Sequence, residues 1–381
     1  VAEADLIVVN TCVVRQNAED RATRKLQNFK PLKKARPEMI IAVTGCWVET
    51  DTAQLKKRFP FVDYFFKAGE CPPWVDRAKW EQALPKEPQP ATYVPIIQGC
   101  NNFCAYCVVP YRRGREKSRP LSDIVCEVKN MARTGTKEVT LLGQNVDSYG
   151  HDLPEKPELS DLLTELNDID GLLRIRFLTN HPKDMSLRLI KTVAKLEKVC
   201  KNITIPAQAG SNEILKAMRR GYTIEDYKRL VYNIRSEIPD IGLVSDIIVG
   251  FPTETEAQYQ QTVDLLTEVR YDTVHIAAYS PRPGTIAARE MTDDVSDEDK
   301  VRRLTNLEEI QKNILTEINA GLENKIVEIL VEGKQKGKWF GRTGTDKLVF
   351  FADGANHVGK LLNLKVEKTS PWSLQGTTNY K

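Results

Sequence analysis

The sequence predicts an α/β protein in three parts: an open α/β amino-terminal domain, a run of six βα units, and a small antiparallel β-barrel. Three observations predict it. Two apolar strand-sized runs, "ADLIVVN" and "MIIAVTG", alternate with helical charge patterning in residues 1–70. Six further apolar runs recur with helical segments between them from Tyr93 to about Ile318. The last sixty or so residues change to short β-rich runs punctuated by Gly, Asp and Asn turns.

In residues 1–70 the two runs suit buried parallel strands. The segments "NAEDRATRKLQNFKPLKKA", with Pro31 near its end, and "TDTAQLKKRF" suit helices. Both strands finish on a cysteine, Cys12 and Cys46, and active groups of open α/β sheets sit at the carboxyl ends of strands. Residues 71–91 hold five prolines and no sustained period, which predicts a stiff linker. In the central region the predicted strands are "YVPIIQ", "EVTLLG", "LRIRFL", "NITIPA", "LVSDIIVGF" and "TVHIAAY". Helices are predicted at 121–134, 184–197, 223–237 and 254–268. Six βα units fit an incomplete parallel barrel or a doubly wound open sheet, which strand count alone does not separate. Residues 325–381 carry ten Lys/Arg against five acids.

Composition sets bounds. The chain has 381 residues, a formal charge of +3, 41% hydrophobic residues and eight cysteines. No run approaches the roughly 18 apolar residues of a membrane span, and no signal peptide is read. Eight unevenly placed cysteines do not make a disulfide scaffold, so a reducing cytosol and no membrane are expected. The chain begins at Val1 rather than Met and enters a strand already under way; a preceding portion is expected.

The chemistry concentrates in "IQGCNNFCAYCVVPY", where Cys100, Cys104 and Cys107 are spaced C-x3-C-x2-C. Tight thiolate-only loops suit zinc or iron–sulfur clusters. A structural zinc site wants a fourth ligand, and the four histidines lie far off at 151, 181, 275 and 357. Three thiolates can anchor three irons of a 4Fe-4S cluster and leave the fourth unclaimed; structural zinc is the alternative. Cys126 and Cys200 lack partners at ligand spacing and read as small buried hydrophobes; Cys71 lacks one too.

This loop is similar to that of the radical S-adenosylmethionine (SAM) enzymes. The segments "NTCVVRQNAED", "TGCW", "GCNNFCAYCVVPYRRGREKSRP", "EVTLLGQNVDSYG", "QAGSNEILKAMRRGYT", "DIIVGFPTETE" and "YSPRPGTIAA" together resemble the methylthiotransferases. Within them they resemble the tRNA type (MiaB type) that makes 2-methylthio-N6-isopentenyladenosine. The resemblance covers essentially the whole chain.

It implies a Rossmann-like methylthiotransferase domain at 1–70, a partial (βα)6 radical SAM barrel at 92–317, and an OB-like TRAM domain that binds tRNA at 318–381. It implies two 4Fe-4S clusters and S-adenosyl-L-methionine. Cys100, Cys104 and Cys107 would hold the radical SAM cluster, while Cys12, Cys46 and a third cysteine preceding Val1 would hold the auxiliary one. For the nucleoside it suggests Tyr106, Gly143, Gln144, Gln208, Ser211 and Gly250, with Asp246 a weaker candidate. A bare glycine turn is the alternative for Gly143 and for Gly250. The resemblance also implies Ser, as relatives usually have, where this chain has Ala209. The basic run beside the cluster, Arg112, Arg113, Arg115 and Arg119, suits phosphate contact, or a plain solvated loop. Lys338 and Arg342, with Trp339, Phe340, Phe350 and Phe351, suit RNA binding, although a barrel so small needs some of these aromatics for its core.

The expected partners are the anticodon stem-loop of tRNA and an electron donor such as flavodoxin or ferredoxin, in the cytoplasm. The rivals within the class act on threonylcarbamoyladenosine or on a ribosomal-protein aspartate. "VVPYRRG", "LLGQNV" and the basic last domain favour the isopentenyl tRNA type. A zinc-stabilised RNA-binding protein without catalysis is the rival of another class.

Overall fold

The structure, a computed structural model, describes residues 4–11, 16–45, 47–48, 52–67, 70 and 89–379. Cys12, Cys46, Cys71 and most of the predicted linker lie outside the described residues. The chain divides into two compact units. One comprises 1–86, 100–115 and 280–289; the other comprises 87–99, 116–279 and 290–381.

The first unit has a parallel sheet of β1 (Leu6–Thr11), β2 (Ile40–Gly45) and β3 (Tyr64–Phe65), in that order. Helices Gln16–Ala35 and Thr52–Arg58 follow β1 and β2. Leu26, Phe29, Ile41, Val43, Trp47 and Phe59 belong to its core. The short β3 was not foreseen. β1 and β2 end level, with Thr11 opposite Gly45, each one residue before Cys12 or Cys46 in the sequence. Gly45 has φ +93°, and a Cβ there would meet the Thr11 carbonyl oxygen at 2.3 Å, so close strand packing requires glycine at this point.

The second unit opens with β4 (Ala91–Pro95), β5 (Ile97–Gln98) and β6 (Lys117–Ser118). It continues with β7 (Glu138–Leu142), β8 (Arg174–Phe177), β9 (Asn202–Thr204), β10 (Gly242–Val249) and β11 (Thr273–Ala278). β4, β7 and β8 pair in parallel, as do β9, β10 and β11. A parallel bridge between Ile175 and Val199 joins the two sets. Strand order therefore follows chain order, the winding of a barrel; a doubly wound sheet reverses it. Among the described residues β11 and β4 do not pair, so the barrel is incomplete.

Alternation sorts the side chains. Val139 and Leu141 of β7 join the apolar core beneath the helices, while Glu138 and Thr140, also buried, take the other face. Helices Leu121–Thr134, Leu187–Lys195, Ile224–Glu237 and Glu256–Val269 occupy the predicted places within three residues. Cys126 is exposed, contrary to expectation. The buried stripe of its helix is Ile124, Val125, Val128 and Ala132, and position 126 lies off that stripe. Cys200 is buried, and desolvation pushes its thiol up to about 11.

Helix Asp297–Ala320 leads to a closed barrel of β12 (Ile326–Gln335), β13 (Lys338–Thr343), β14 (Leu348–Phe351), β15 (Leu361–Thr369) and β16 (Leu374–Thr377). Its order is β12-β13-β14-β16-β15. The predicted antiparallel barrel has one exception, since β14 and β16 pair in parallel. Closure leaves no open edge strand.

Candidate cluster and cofactor site

The three-cysteine loop leaves β5 and returns as β6, and these two strands pair antiparallel, Ile97 with Ser118 and Gln98 with Lys117. Inside the loop, the Cys100 N–H donates to the Gly114 carbonyl at 3.2 Å and the Cys107 N–H to the Cys104 carbonyl at 3.0 Å. The Asn102 N–H approaches Cys100 Sγ at 3.4 Å. Cys100 and Cys104 are buried and Cys107 half-buried. Helix Val109–Arg113 carries Pro110 in its first turn, where a missing N–H costs nothing.

Rings and cations brace this loop. The Arg115 guanidinium lies 4.6 Å over the Phe103 ring, and Phe103 meets Tyr111 edge-on at 5.8 Å. Arg289 lies 5.9 Å over Tyr111, and the Ala287 N–H donates to the Ala105 carbonyl at 2.8 Å. Segment 280–289 thus packs on the loop from 180 residues downstream in the chain. The motif "YSPRPGTIAA" was visible in the sequence, but without this role.

The donor set fits a 4Fe-4S cluster. Three cysteine sulfurs within eight residues are soft ligands of the kind iron–sulfur clusters take, and water is largely excluded from two of them, Cys100 and Cys104. Among the described residues no three His, Cys, Asp or Glu side chains are placed to hold one ion. Cluster thiolates bind separate irons and have no such need.

In the second unit the predicted nucleoside contacts separate into kinds. Gln144 Oε1 accepts the Gly99 N–H at 2.6 Å, so it secures the residue before Cys100, where the sequence had suggested a nucleoside contact. A Cβ at Gly143 would meet Ile97 Cγ2 at 2.4 Å; close packing requires that glycine. Ser211 is fully buried and donates to Glu213 at 2.7 Å, a local bond at the start of helix Asn212–Ala217. Gly250, at φ +68°, has Lys300 Cγ where a Cβ would sit, 2.3 Å away. Packing against Lys300 and turn geometry therefore account for this glycine. Gln208 is different. It is buried at φ +69°, its backbone bonds to Asp246 and Ile248, and its Oε1 has no hydrogen-bond partner. That oxygen is suited to accept from a bound nucleoside. Tyr106 is half-buried in the first unit, and Ala209 is fully buried.

Two predictions arise here. Gly250→Ala is expected to destabilise the protein by about 2 kcal/mol or more, from left-handed strain plus overpacking; denaturant midpoints measure it. Gln144→Ala leaves the buried Gly99 N–H unanswered, a cost of about 1–3 kcal/mol. Lower iron retention after reconstitution, together with a broadened cluster signal in electron paramagnetic resonance, is the expected result.

A further buried polar group was missed. Asn145 donates to Ser148 at 2.6 Å and to Asp184 at 2.7 Å. Asp147 accepts from Asn180 Nδ2 at 2.6 Å and from the His181 N–H at 2.8 Å. These residues follow β7 and β8 directly, the available signal being "QN" and "NHP" at strand ends. Burial raises Asp147 to about 7 and lowers His181 to about 3, with Arg220 adding to the second effect. A carboxyl near 3.8 unfolded and near 7 folded adds stability that is full below about pH 4 and lost as pH rises to about 7. A protonated-carboxyl infrared band that titrates near pH 7 and is missing from Asp147→Asn is the expected observation.

Relatives decide the family. Residues 94–266 match the radical SAM superfamily, residues 1–67 match the uncharacterized protein family UPF0004, and residues 322–378 match the TRAM domain. A tRNA-2-methylthio-N(6)-dimethylallyladenosine synthase of Dehalococcoides mccartyi is 52% identical, over 98% of this chain and 89% of its own. The chain belongs to this synthase family. A synthase of the same name from Chloroflexus aurantiacus is 47% identical, over 98% of this chain and 83% of its own. Among solved structures, the radical SAM methyltransferase TsrM of Kitasatospora setae, with cobalamin and a [4Fe-4S] cluster bound, aligns with TM-score 0.53 at 16% identity. It covers 74% of this chain and 63% of its own, a likeness of fold.

The TRAM domain of this synthase family member resolves which aromatics are core. Trp339 and Phe351 point inward, with Trp339 Nε1–H donating to the Asp353 carbonyl at 3.0 Å. Phe340 and Phe350 are cross-strand partners, half-buried, with ring centroids 6.3 Å apart. Lys338 is exposed beside them on the same face. Arg342 is engaged by Asp346 at 3.4 Å and by Glu332 at 3.7 Å. Arg119, predicted to bind phosphate, instead pairs with Glu127 at 2.5 Å and donates to the Pro95 carbonyl at 2.8 Å. Arg112 and Arg113 are half-buried, whereas Arg115 is exposed. Among the described residues no helix is long and apolar enough to cross a membrane.

Proposed function

We infer that this chain inserts a methylthio group at carbon 2 of N6-isopentenyladenosine beside the anticodon of tRNA, by radical SAM chemistry. The observation that carries this reading is likeness along the whole length: 52% identity over 373 residues spans the cysteine loop, the barrel and the TRAM domain together. Cys100, Cys104 and Cys107 would hold the radical SAM cluster. Cys12 and Cys46, with one further cysteine, would hold the auxiliary one. When bound, SAM and the reduced clusters would supply one-electron chemistry strong enough to break an unactivated C–H bond, and SAM would supply the methyl group.

The chain's own residues hold and orient. Gln144 fixes the start of the cluster loop. Gln208 Oε1 accepts from the nucleoside, and Phe103 and Tyr111 with Arg115 and Arg289 brace the loop that carries the thiolates. In the first unit Arg112, Arg113 and Arg115 are the cations assigned to the anticodon stem-loop; in the second unit Lys338 and the Phe340–Phe350 face are assigned to RNA as well. A flavodoxin- or ferredoxin-type donor in the cytoplasm supplies electrons.

The test uses anaerobically reconstituted protein with SAM and a strong reductant. It is offered isopentenylated tRNA, threonylcarbamoylated tRNA, or the ribosomal protein substrate of the related class. A 2-methylthio nucleoside from the first alone is expected. Product on either of the others alone would overturn the reading.

A further inference from the structure

Between the inner faces of β9, β10 and β11 and the turn at 370–374 lies a cavity of about 400 Å³, lined by Thr204, Val244, His275, Arg342, Trp372 and Leu374 among others. We propose that this cavity receives one nucleobase of the RNA, lifted from its stack and laid on Trp372. The proposal rests on the reading of the chain as a tRNA-modifying enzyme.

The volume falls within the roughly 300–1,000 Å³ of small-ligand sites. Trp372 is 65% exposed, yet its turn is held firmly. Ser370 Oγ donates to the Ser373 carbonyl at 2.7 Å, and the Ser370 N–H donates to the same oxygen at 2.9 Å. From the long helix, Asn319 Nδ2 donates to the Ser370 and Pro371 carbonyls at 2.8 and 3.1 Å. A large aromatic displayed to solvent on a braced turn is suited to base stacking, because little side-chain freedom is lost when a base arrives.

The cavity is not built for a simple anion. Its cations already have carboxylate partners: Lys347 pairs with Asp272 at 2.9 Å and Arg342 with Asp346 at 3.4 Å. What it offers is an indole face, the exposed imidazole of His275 on the outermost barrel strand, and the Thr204 hydroxyl. Those groups suit a neutral heteroaromatic ring with polar edges. The lost pairing and stacking of a loop base costs a few kcal/mol at most.

The experiment uses the full chain and a set of anticodon stem-loop RNAs, each with 2-aminopurine at one loop position. With the wild type, one position is expected to change strongly in fluorescence on binding. Trp372→Ala is expected to abolish that change and weaken binding by roughly 5- to 150-fold, the effect of one lost base–aromatic stack. Trp372→Phe should keep both. Thermal melts matching the wild type would show that Trp372→Ala folds. Unchanged affinity and unchanged fluorescence in Trp372→Ala would overturn the proposal, as would weaker binding with the 2-aminopurine response intact. Wild type that binds none of the RNAs would instead overturn the functional reading on which the proposal rests.

Discussion

Cys104→Ala is expected to yield a folded protein that assembles no complete radical SAM cluster and no longer cleaves SAM. Cys104 is buried, and one bond that ties it into the loop runs through its carbonyl, which accepts the Cys107 N–H at 3.0 Å; alanine keeps that carbonyl. The surrounding rings and cations are untouched as well. What is lost is one of three thiolates, and with only three to begin with none is redundant. Changes in the shell around metal ligands cost about 10- to 100-fold in activity; loss of a ligand itself should exceed that. Iron and sulfide per chain, visible charge-transfer absorbance and 5′-deoxyadenosine yield give the measurement. Cys126→Ala and Cys200→Ala serve as controls, one on an exposed helix face and one a buried thiol, and both should retain iron and turnover. Cleavage by Cys104→Ala at the wild-type rate would remove the loop from the mechanism.

That loop was legible because its chemistry is local: three thiols within eight residues declare a metal site by spacing alone. The barrel was legible for a related reason. Each strand is a short apolar run flanked by helical periodicity, and predicted bounds lie within a few residues of those observed. What the sequence hides is every decision made by a distant neighbour. Gly250 reads equally as a ligand approach or a turn, and nothing local tells that Lys300, fifty positions on, sits where a Cβ would go. Gln144 and Ser211 are polar residues at strand ends, where ligands bind, yet their bonds go to Gly99 and Glu213. The period of two on β13 separates Trp339 from Phe340, but only closure of the barrel shows which of them faces the core. Arg119 was read by charge, and charge does not say whether a guanidinium is already answered by Glu127.

The floor of the large barrel carries the least expected of these distant decisions and the largest expected effect on stability. Barrel interiors are ordinarily filled by branched apolar side chains. Here Glu138, Arg174, Arg176 and Asn202 at the strand starts are all buried. Arg174, Arg176 and Asn202 take partners from the TRAM domain. Arg176 donates to Glu138 at 2.7 Å, to the Thr343 carbonyl at 2.6 Å and to the Gly344 carbonyl at 3.3 Å. Arg174 donates to the Arg342 carbonyl at 2.6 Å and to Glu328 Oε1 at 2.9 Å, and Asn202 donates to the Thr345 carbonyl at 3.3 Å. The 342–345 turn thus plugs the barrel floor through its own carbonyl groups. Arg176→Met strands the Glu138 carboxylate and the Thr343 carbonyl in a buried place, and breaking a buried pair in this way costs about 3–5 kcal/mol. Domain stabilities are only about 5–15 kcal/mol, so a large drop in urea midpoint is expected, with earlier proteolysis of the carboxy-terminal barrel. Adding Glu138→Leu removes the stranded charge and should recover much of the loss. Recovery stays incomplete, because the Thr343 and Gly344 carbonyls remain without their donor. A cost below about 1 kcal/mol for Arg176→Met, the range of exposed ion pairs, would mean that water reaches this floor and the plug does not seal it.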